Sequence, residues 1–596
     1  MVHTGIRHLF AALCAASLLG CGSAPPAPQA AAAVPDEGQR LHALLEAEWE
    51  HGLRDQPERA TFAGERRYGD RLADLSPQAV AARRAHEREW LQALHGVKRE
   101  ALAGDDRLSL DIARYEAELR VAEQAHPGLQ LPRLHPLFAV HGLLAGLLRN
   151  QPAETEADLQ AIVARMNAYP RRVDQEIALL QQGLQTGWRT PRPVLQRVIE
   201  GIDAQLVADP RQHPAYEPFK RPATAQTQRL RQAWTARAEQ ALREQVMPAQ
   251  HRLRAFLVQH MLPGAPATGA LHELPGGPAA YRHLVKINTT TDLSPEQIHA
   301  IGLEQLARLR AEMDGVRRAT GFAGDFAAFV HFLHTDKRFF VDSEEALLVR
   351  YRDAVKRTEP ELPRLFAELP RAPLGVRAYP AFMGPDAAAS YSAPAQDGSR
   401  AGWFSVPTVG VERKPVWEVE SLAVHEGVPG HHLQVARAAE LKNLPKFRRS
   451  GGYVAFNEGW ALYAETLGFD LGLYTDPYSK FGHLQMQAFR AARLVVDTGL
   501  HAKGWSREQA IEFMVQQVGH DRGKASFEVD RYLAMPAQAL GYMIGQLKIM
   551  ELRDRAKQKL GPRFDIRRFH NAVIDNGSLP LPVLERVIDE WIAKQA

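Results

Sequence analysis

Apolar residues recur every three or four positions through most of this chain, the spacing that gathers them on one face of a helix. The stretches LHALLEAEWEHGL, VLQRVIEGIDAQLVA and TQRLRQAWTARAEQALREQVMPAQHRLRAFLVQHM show it most plainly. The segment SPEQIHAIGLEQLARLRAEM adds a Ser cap with Glu close behind it, a helix start. No repeat of fixed period is present. One segment departs from the helical pattern. AASYSAPAQDGSRAGWFSVPTVG, residues 388–410, has a turn at Asp397-Gly398 and then an alternating run through Trp403 and Ser405. That predicts a short strand or hairpin. The Gly/Pro-rich interval 262–281 marks a soft boundary between an N-terminal helical region, 39–270, and a second helical region, 271–596.

Composition narrows this picture. The chain has 596 residues, 45% apolar and 24% charged, ordinary for a globular protein with more than one domain's worth of core. A net charge of +4 and the lack of any long basic run give no reason to expect nucleic acid as a partner. The first residues, MVHTGIRHLFAALCAASLLGCGS, have a basic start and a short apolar stretch, the shape of a secretory signal over 1–20. Their ending, Leu18-Leu19-Gly20-Cys21, resembles the bacterial lipoprotein box, in which the Cys thiol is lipidated and becomes the mature N-terminus. Of two cysteines, Cys14 would be removed and Cys21 blocked, which leaves no internal disulfide. Residues 21–38, rich in Pro and Ala, read as a flexible tether. Gly22 after the Cys, rather than Asp, fits retention at the outer membrane, facing the periplasm. Beyond the first two dozen residues no apolar run is long enough to span a bilayer.

Candidate chemistry begins at SLAVHEGVPGHHLQ, residues 421–434. A zinc peptidase helix carries H-E-x-x-H, with its second His four residues after the first. Here the fourth residue after His425 is Pro429, and His431 and His432 come later. On a regular helix of about 100° and 1.5 Å per residue, His431 would point roughly 120° away from His425. His432 would point the right way but lie about 10 Å along the axis. A straight helix cannot make this site. Pro429 lacks an N–H and its ring collides with the carbonyl of His425, while Gly430 tolerates unusual backbone angles. Together they could bulge two residues out, bringing His431 into the place of the second ligand. His432 is its neighbour and the second choice as ligand. Glu426 would face the same cavity without pointing at the metal, where a general base belongs.

Catalytic zinc takes three protein ligands and keeps one position open. The third is expected in AFNEGWALYAETLG, where Glu458 and Glu465 stand seven apart on one helix face among aromatic and small residues. Acids are rarely buried without a partner, and a metal is a good one. Glu458 is the expected ligand, 27 residues after His431, and Glu465 a carboxylate that orients a His.

The segments HEGVPGHHLQ, NEGWALYAE, RAARLVVDTGLHAKGW, DRYLAMPAQALGY and NGSLPLPVLERVIDEWI resemble the bacterial family named domain of unknown function 885. That family carries H-E-x-x-P-G-H-x-x-Q followed by E-G-W-A-x-Y. The resemblance covers most of the chain after the tether. Ala537 stands where Gly is common, and Gly541 where Ser is common. The family is similar to helical gluzincin peptidases, including the angiotensin-converting-enzyme-like and oligopeptidase groups. The resemblance implies a mainly α fold, two helical halves around a deep cleft, with a short β hairpin or edge strand beside the active site. It places zinc on His425, His431 and Glu458, with Glu426 catalytic. Such an enzyme needs a donor for its oxyanion. Arg531-Tyr532 resembles the Arg-Tyr pair of the angiotensin-converting-enzyme group, which makes Tyr532 the first choice and Tyr542 the second. Asp497 and His501 are left open, and Arg490 and Arg493 are expected to be structural or solvated. The expected function is a lipid-anchored zinc metallopeptidase of the bacterial envelope that hydrolyses peptides, with the strand near 401–408 pairing an extended substrate at its edge. Two alternatives are a zinc hydrolase of a non-peptide amide and a non-catalytic helical lipoprotein. The oligomeric state is left open.

Overall fold

The computed structural model describes residues 36–136, 139–379, 388–395, 398 and 400–595. Cys21, the leader and most of the tether, and Asp397 of the expected turn, lie outside these. The helical periodicity is realised. The three most strongly patterned stretches fall in helices Glu37–Asp55, Arg192–Asp203 and Ala225–Ala241, the last running through a π-turn into Met247–Phe256. No helix among the described residues is long and apolar enough to cross a membrane.

The elements that build the site follow in chain order. Helix α1 (Pro295–Ala319) starts where the Ser cap was read, but its reciprocal partner is Gln297, not Glu296. Helix α2 (Glu344–Thr358) leads to strands β1 (Leu374–Ala378), β2 (Ser390–Ser392) and β3 (Gly402–Val406). Then come helices α3 (Val419–Glu426), α4 (His431–Glu440), α5 (Val454–Thr466), α6 (Pro477–Ala502), α7 (Arg522–Ala534) and α8 (Gly541–Leu560). The spine is α6, buried from Phe481 to His501, with α1 packed along its length. Helix α3 lies between α2, α5 and α6.

Helices α5 and α8 cross at glycines. A Cβ on Gly545 would stand 1.8 Å from the carbonyl oxygen of Ala455, and one on Gly459 2.5 Å from Gly545 Cα. The two backbones therefore touch, which fixes where α5 holds its acids. Ala537 has φ of 67°, a left-handed conformation that glycine would adopt more readily.

The strands correct one expectation. β3 is not an edge. It is the central strand, parallel to β1 from Leu374 opposite Gly402, and antiparallel to β2 from Ser390 opposite Ser405. Both of its hydrogen-bonding edges are used, so a substrate cannot pair there. The alternation through Trp403 and Ser405 predicted a strand but carried no information about its partners.

Among the described residues the larger of two hydrophobic clusters runs from Ile112 to Ile592, across the Gly/Pro-rich interval, and a smaller one gathers Leu41, Trp90 and Leu110 of the N-terminal helices. That interval is pinned rather than loose. The Leu271 amide donates to His501 Nδ1 at 3.0 Å, and His272 Nδ1 donates to the carbonyl of Leu500 at 2.9 Å.

Candidate metal centre

The Pro-Gly insertion does more than bulge a helix. It divides the segment into α3 and α4, joined by a turn over Gly427–Gly430. The Gly430 amide donates to the carbonyl of Val424, six residues back instead of the helical four. Two residues have been looped out, as the spacing required. A Cβ on Gly430 would lie 2.1 Å from the His425 carbonyl oxygen, so only glycine closes the turn. Trp460 of α5 locks it by donating its indole N–H to the carbonyl of Pro429 at 2.9 Å.

The result is a convergence. His425 Nε2 is 3.5 Å and His431 Nε2 3.3 Å from the same oxygen, Glu458 Oε2. One donor atom from each of the three residues lies within 4.8 Å of the others. In a tetrahedral zinc site with bonds near 2.0–2.1 Å, neighbouring ligand atoms are about 3.3 Å apart. The two histidine-to-carboxylate spacings fit that value. Glu458 Oε2 is buried and has no hydrogen-bond partner, which leaves its lone pairs directed at the histidines. These three residues could hold a metal ion, and two imidazoles with one carboxylate are a donor set suited to zinc. Burial alone would raise the Glu458 carboxyl, but the charge of His431 and contacts from both histidines hold it well below the usual carboxylate range.

Glu465 sits two turns beyond Glu458 on α5, on the other side of the His425 ring. It is fully buried and accepts from His425 Nδ1–H at 2.8 Å and from Ser421 Oγ at 2.8 Å. Gln487 Nε2 lies 3.4 Å and Arg490 Nη2 3.4 Å away. A carboxylate can only accept here, so His425 carries its proton on Nδ1 and presents the Nε2 lone pair to the cluster. Glu426 is buried at the end of α3. Burial pushes its carboxyl up to about 8, against the pull of His431 and Arg490 and with the push of Glu458. A cation in the cluster would draw it back down.

His432 turns away. Its Nε2–H donates to the carbonyl of Ala372 at 3.0 Å and its Nδ1 accepts from Tyr391 O–H at 3.1 Å. With both nitrogens engaged it ties α4 to the strands and cannot be a ligand. The two tyrosines also separate. Tyr532 O–H is bound to Glu528 at 2.8 Å and accepts from Arg493 Nε at 3.1 Å, at 1% exposure. Tyr542 instead stacks nearly parallel to His425, with centroids 6.4 Å apart, and its hydroxyl meets Arg531 Nη2 at 3.3 Å. This reverses the order of preference between them.

Asp497 and His501 are internal ties. Asp497 accepts from Tyr281 O–H and from the Ala537 amide, and burial pushes it up to about 7. His501 spans Leu271 and the carbonyl of Tyr532. Arg490 and Arg493 are not solvated, since each is 4% exposed. The sequence reading also missed Tyr391, whose ring stacks at 6.4 Å on His431. Nothing in its strand-like surroundings distinguished it.

Fold and site define a mainly helical protein with a buried His-His-Glu centre at the break between two helices. The chain belongs to the family described as bacterial protein of unknown function (DUF885), whose model matches residues 57–588. No curated protein matches the chain. A crystal structure described as that of a candidate lipoprotein from Colwellia psychrerythraea is 28% identical, with a TM-score of 0.86 over 94% of this chain and 100% of that one. A second, a candidate lipoprotein of unknown function from Shewanella oneidensis, is 17% identical with a TM-score of 0.69 over 93% of this chain and 100% of that one, a likeness of fold alone.

Proposed function

We propose that the protein is a zinc metallopeptidase of the gluzincin kind, lipid-anchored through Cys21 in the bacterial envelope, with helical halves flanking a substrate cleft. The observation that carries the reading is the pair of spacings from Glu458 Oε2 to the two histidines, with Glu465 behind His425. Zinc held by His425, His431 and Glu458 would polarise an amide carbonyl and make water more acidic. Glu426 accepts a proton from the attacking water and passes it to the leaving nitrogen. Its dry surroundings suit the first half of that relay, because burial raises a carboxylate's affinity for a proton. Tyr542, next to His425, offers a hydroxyl to the developing oxyanion. Glu465 keeps the His425 ring in one orientation throughout. The description of the Colwellia psychrerythraea structure as a candidate lipoprotein supports the anchor.

The test is zinc per chain together with hydrolysis of a peptide library and a panel of non-peptide amides. Glu426→Gln keeps size and shape but cannot take a proton at neutral pH. It should retain near-stoichiometric zinc and lose roughly 10²–10⁴-fold in turnover. An active Glu426→Gln protein overturns the mechanism. Cleavage confined to non-peptide amides moves the substrate class.

A further inference from the structure

Beside the centre lies a set of buried cations that the proposed chemistry does not use. Arg490 and Arg493 are a turn apart on α6, and Arg531 reaches in from α7. Arg493 lies between two aromatic faces, its Cζ 4.1 Å from the Phe489 centroid and 4.4 Å from that of Tyr542. Its Nε donates to Tyr532 Oη and its Nη2 to Glu528 Oε2, both at 3.1 Å. Its third edge, Nη1, is buried with no partner. Arg490 reaches Glu465 with Nη2 and the Met486 carbonyl with Nη1, but its Nε is likewise buried and unpartnered. Arg531 spends Nη1 on Glu528 and Nη2 on Gln538 and Tyr542.

The pairing is incomplete. Three guanidiniums form ion pairs with two carboxylates, Glu465 and Glu528, and Glu465 is also committed to His425. A buried guanidinium with free N–H groups is costly unless an acceptor completes it. Position matters as much as charge. Tyr542 is shared between the two features, stacked on His425 at 6.4 Å and covered by Arg493 at 4.4 Å and by Arg490 at 6.0 Å. Those separations laid end to end keep Arg493 within roughly 11 Å of the His425 ring, the reach of about three extended residues.

We infer that Arg493 and Arg490 form a carboxylate-binding subsite beside the metal centre, which selects substrates carrying a carboxylate within about three residues of the scissile bond. A carboxylate there completes the unpaired N–H groups, with the Phe489 and Tyr542 rings excluding water around it. The group could be a peptide's C-terminus or an acidic side chain. The peptidase reading supplies only the statement that the ligand is a peptide.

Binding tests the subsite without catalysis. The probes are acetyl-alanyl-alanine, its C-terminal amide, and acetyl-glutamyl-alanine amide, titrated calorimetrically into chelator-stripped protein so that no metal can take the carboxylate. The free acid should bind at least about 30-fold tighter than its amide, the scale of one or two charge-assisted hydrogen bonds. Equal strength in the glutamyl amide assigns a general carboxylate site, and weakness there assigns the C-terminus. Arg493→Lys keeps a charge opposite Glu528 and should lower the acid preference at least tenfold, as should Arg490→Lys. Should either variant fail to fold, the acid-to-amide ratio of the wild type still decides. Equal binding of all three probes by wild-type protein, or full acid preference in folded Arg493→Lys, overturns the inference. Acid preference in a protein that cleaves no peptide keeps the subsite and removes the peptidase reading. Cleavage of acid and amide peptides at equal kcat/KM by the zinc-loaded protein does the opposite.

Discussion

Glu465→Gln isolates the contribution of the carboxylate behind the metal. The side chain is fully buried, and its four neighbours are Ser421, His425, Gln487 and Arg490, at 2.8, 2.8, 3.4 and 3.4 Å. Gln fills the same volume and can still accept from His425 Nδ1–H. What it removes is charge. Burial pushes the Glu465 carboxyl up, but Arg490 and the His425 N–H outweigh that and hold it ionised. An imidazole backed by a carboxylate is a stronger donor than one backed by an amide, and losing such a partner weakens metal binding by 10–100-fold, about 1.4–2.8 kcal/mol. A second cost falls on stability. Arg490 would lose the carboxylate it pairs with, and stranding one member of a buried ion pair costs about 3–5 kcal/mol. The 3.4 Å contact to Glu465 is long, so the lower figure is expected. Zinc affinity is read by competition with a chromophoric chelator, and stability by denaturant unfolding of the stripped protein. Glu458→Gln serves as the reference, since losing a ligand must cost more than losing the group behind one. A folded Glu465→Gln protein with wild-type zinc affinity, or one weaker than Glu458→Gln, would refute the assignment.

His431→Ala should lower zinc affinity by more than the roughly 100-fold upper figure for an outer partner. His432→Ala should keep zinc while losing stability, because it frees Ala372 and Tyr391; the reverse pattern in a chelator titration would make His432 the ligand. Gly545→Ala should lower the free energy of unfolding, read from denaturant titration, by about 1–3 kcal/mol, because its Cβ would lie 1.8 Å from a backbone oxygen that cannot move alone. Unchanged stability with full zinc would show that α5 and α8 are not held as described. Cys21→Ser should free the protein from the membrane fraction or stop its processing, and unchanged fractionation and mass would end the lipoprotein assignment.

Helices were the most legible part of the chain, because a 3.6-residue period and capping residues such as Ser294 are local signals. The pairing of the sheet was not. β3 takes one neighbour upstream of a long excursion and another antiparallel to it, and strand alternation is the same in a central strand as at an edge. The contacts of the Gly/Pro-rich interval were hidden in a similar way. Gly and Pro report local backbone, and Leu271 and His272 were secured by α6, some 230 residues further on.

In the site, the residues that could be read were those bound by covalent geometry. Two residues inserted into H-E-x-x-H must leave the helix or destroy the site, so arithmetic on His425, Pro429, Gly430 and His431 led to a turn that the Gly430-to-Val424 hydrogen bond contains. The seven-residue interval from Glu458 to Glu465 likewise puts two acids on one face, and their different contacts with His425 follow from one helix passing one ring. Tyr532 was preferred to Tyr542 by resemblance alone, and no spacing along the chain records that Glu528 and Arg493 occupy the Tyr532 hydroxyl. Arg490 and Arg493 read as structural or solvated for a related reason. A charge on a long helix usually faces water, and only packing of that helix on every side reverses the expectation. Because α6 is buried from Phe481 to His501, each ionic group in that stretch must be matched by a neighbour or by a ligand. Asp497 and His501 find neighbours, whereas Arg490 and Arg493 each keep a nitrogen without one, so the two arginines are where a bound molecule remains to be sought.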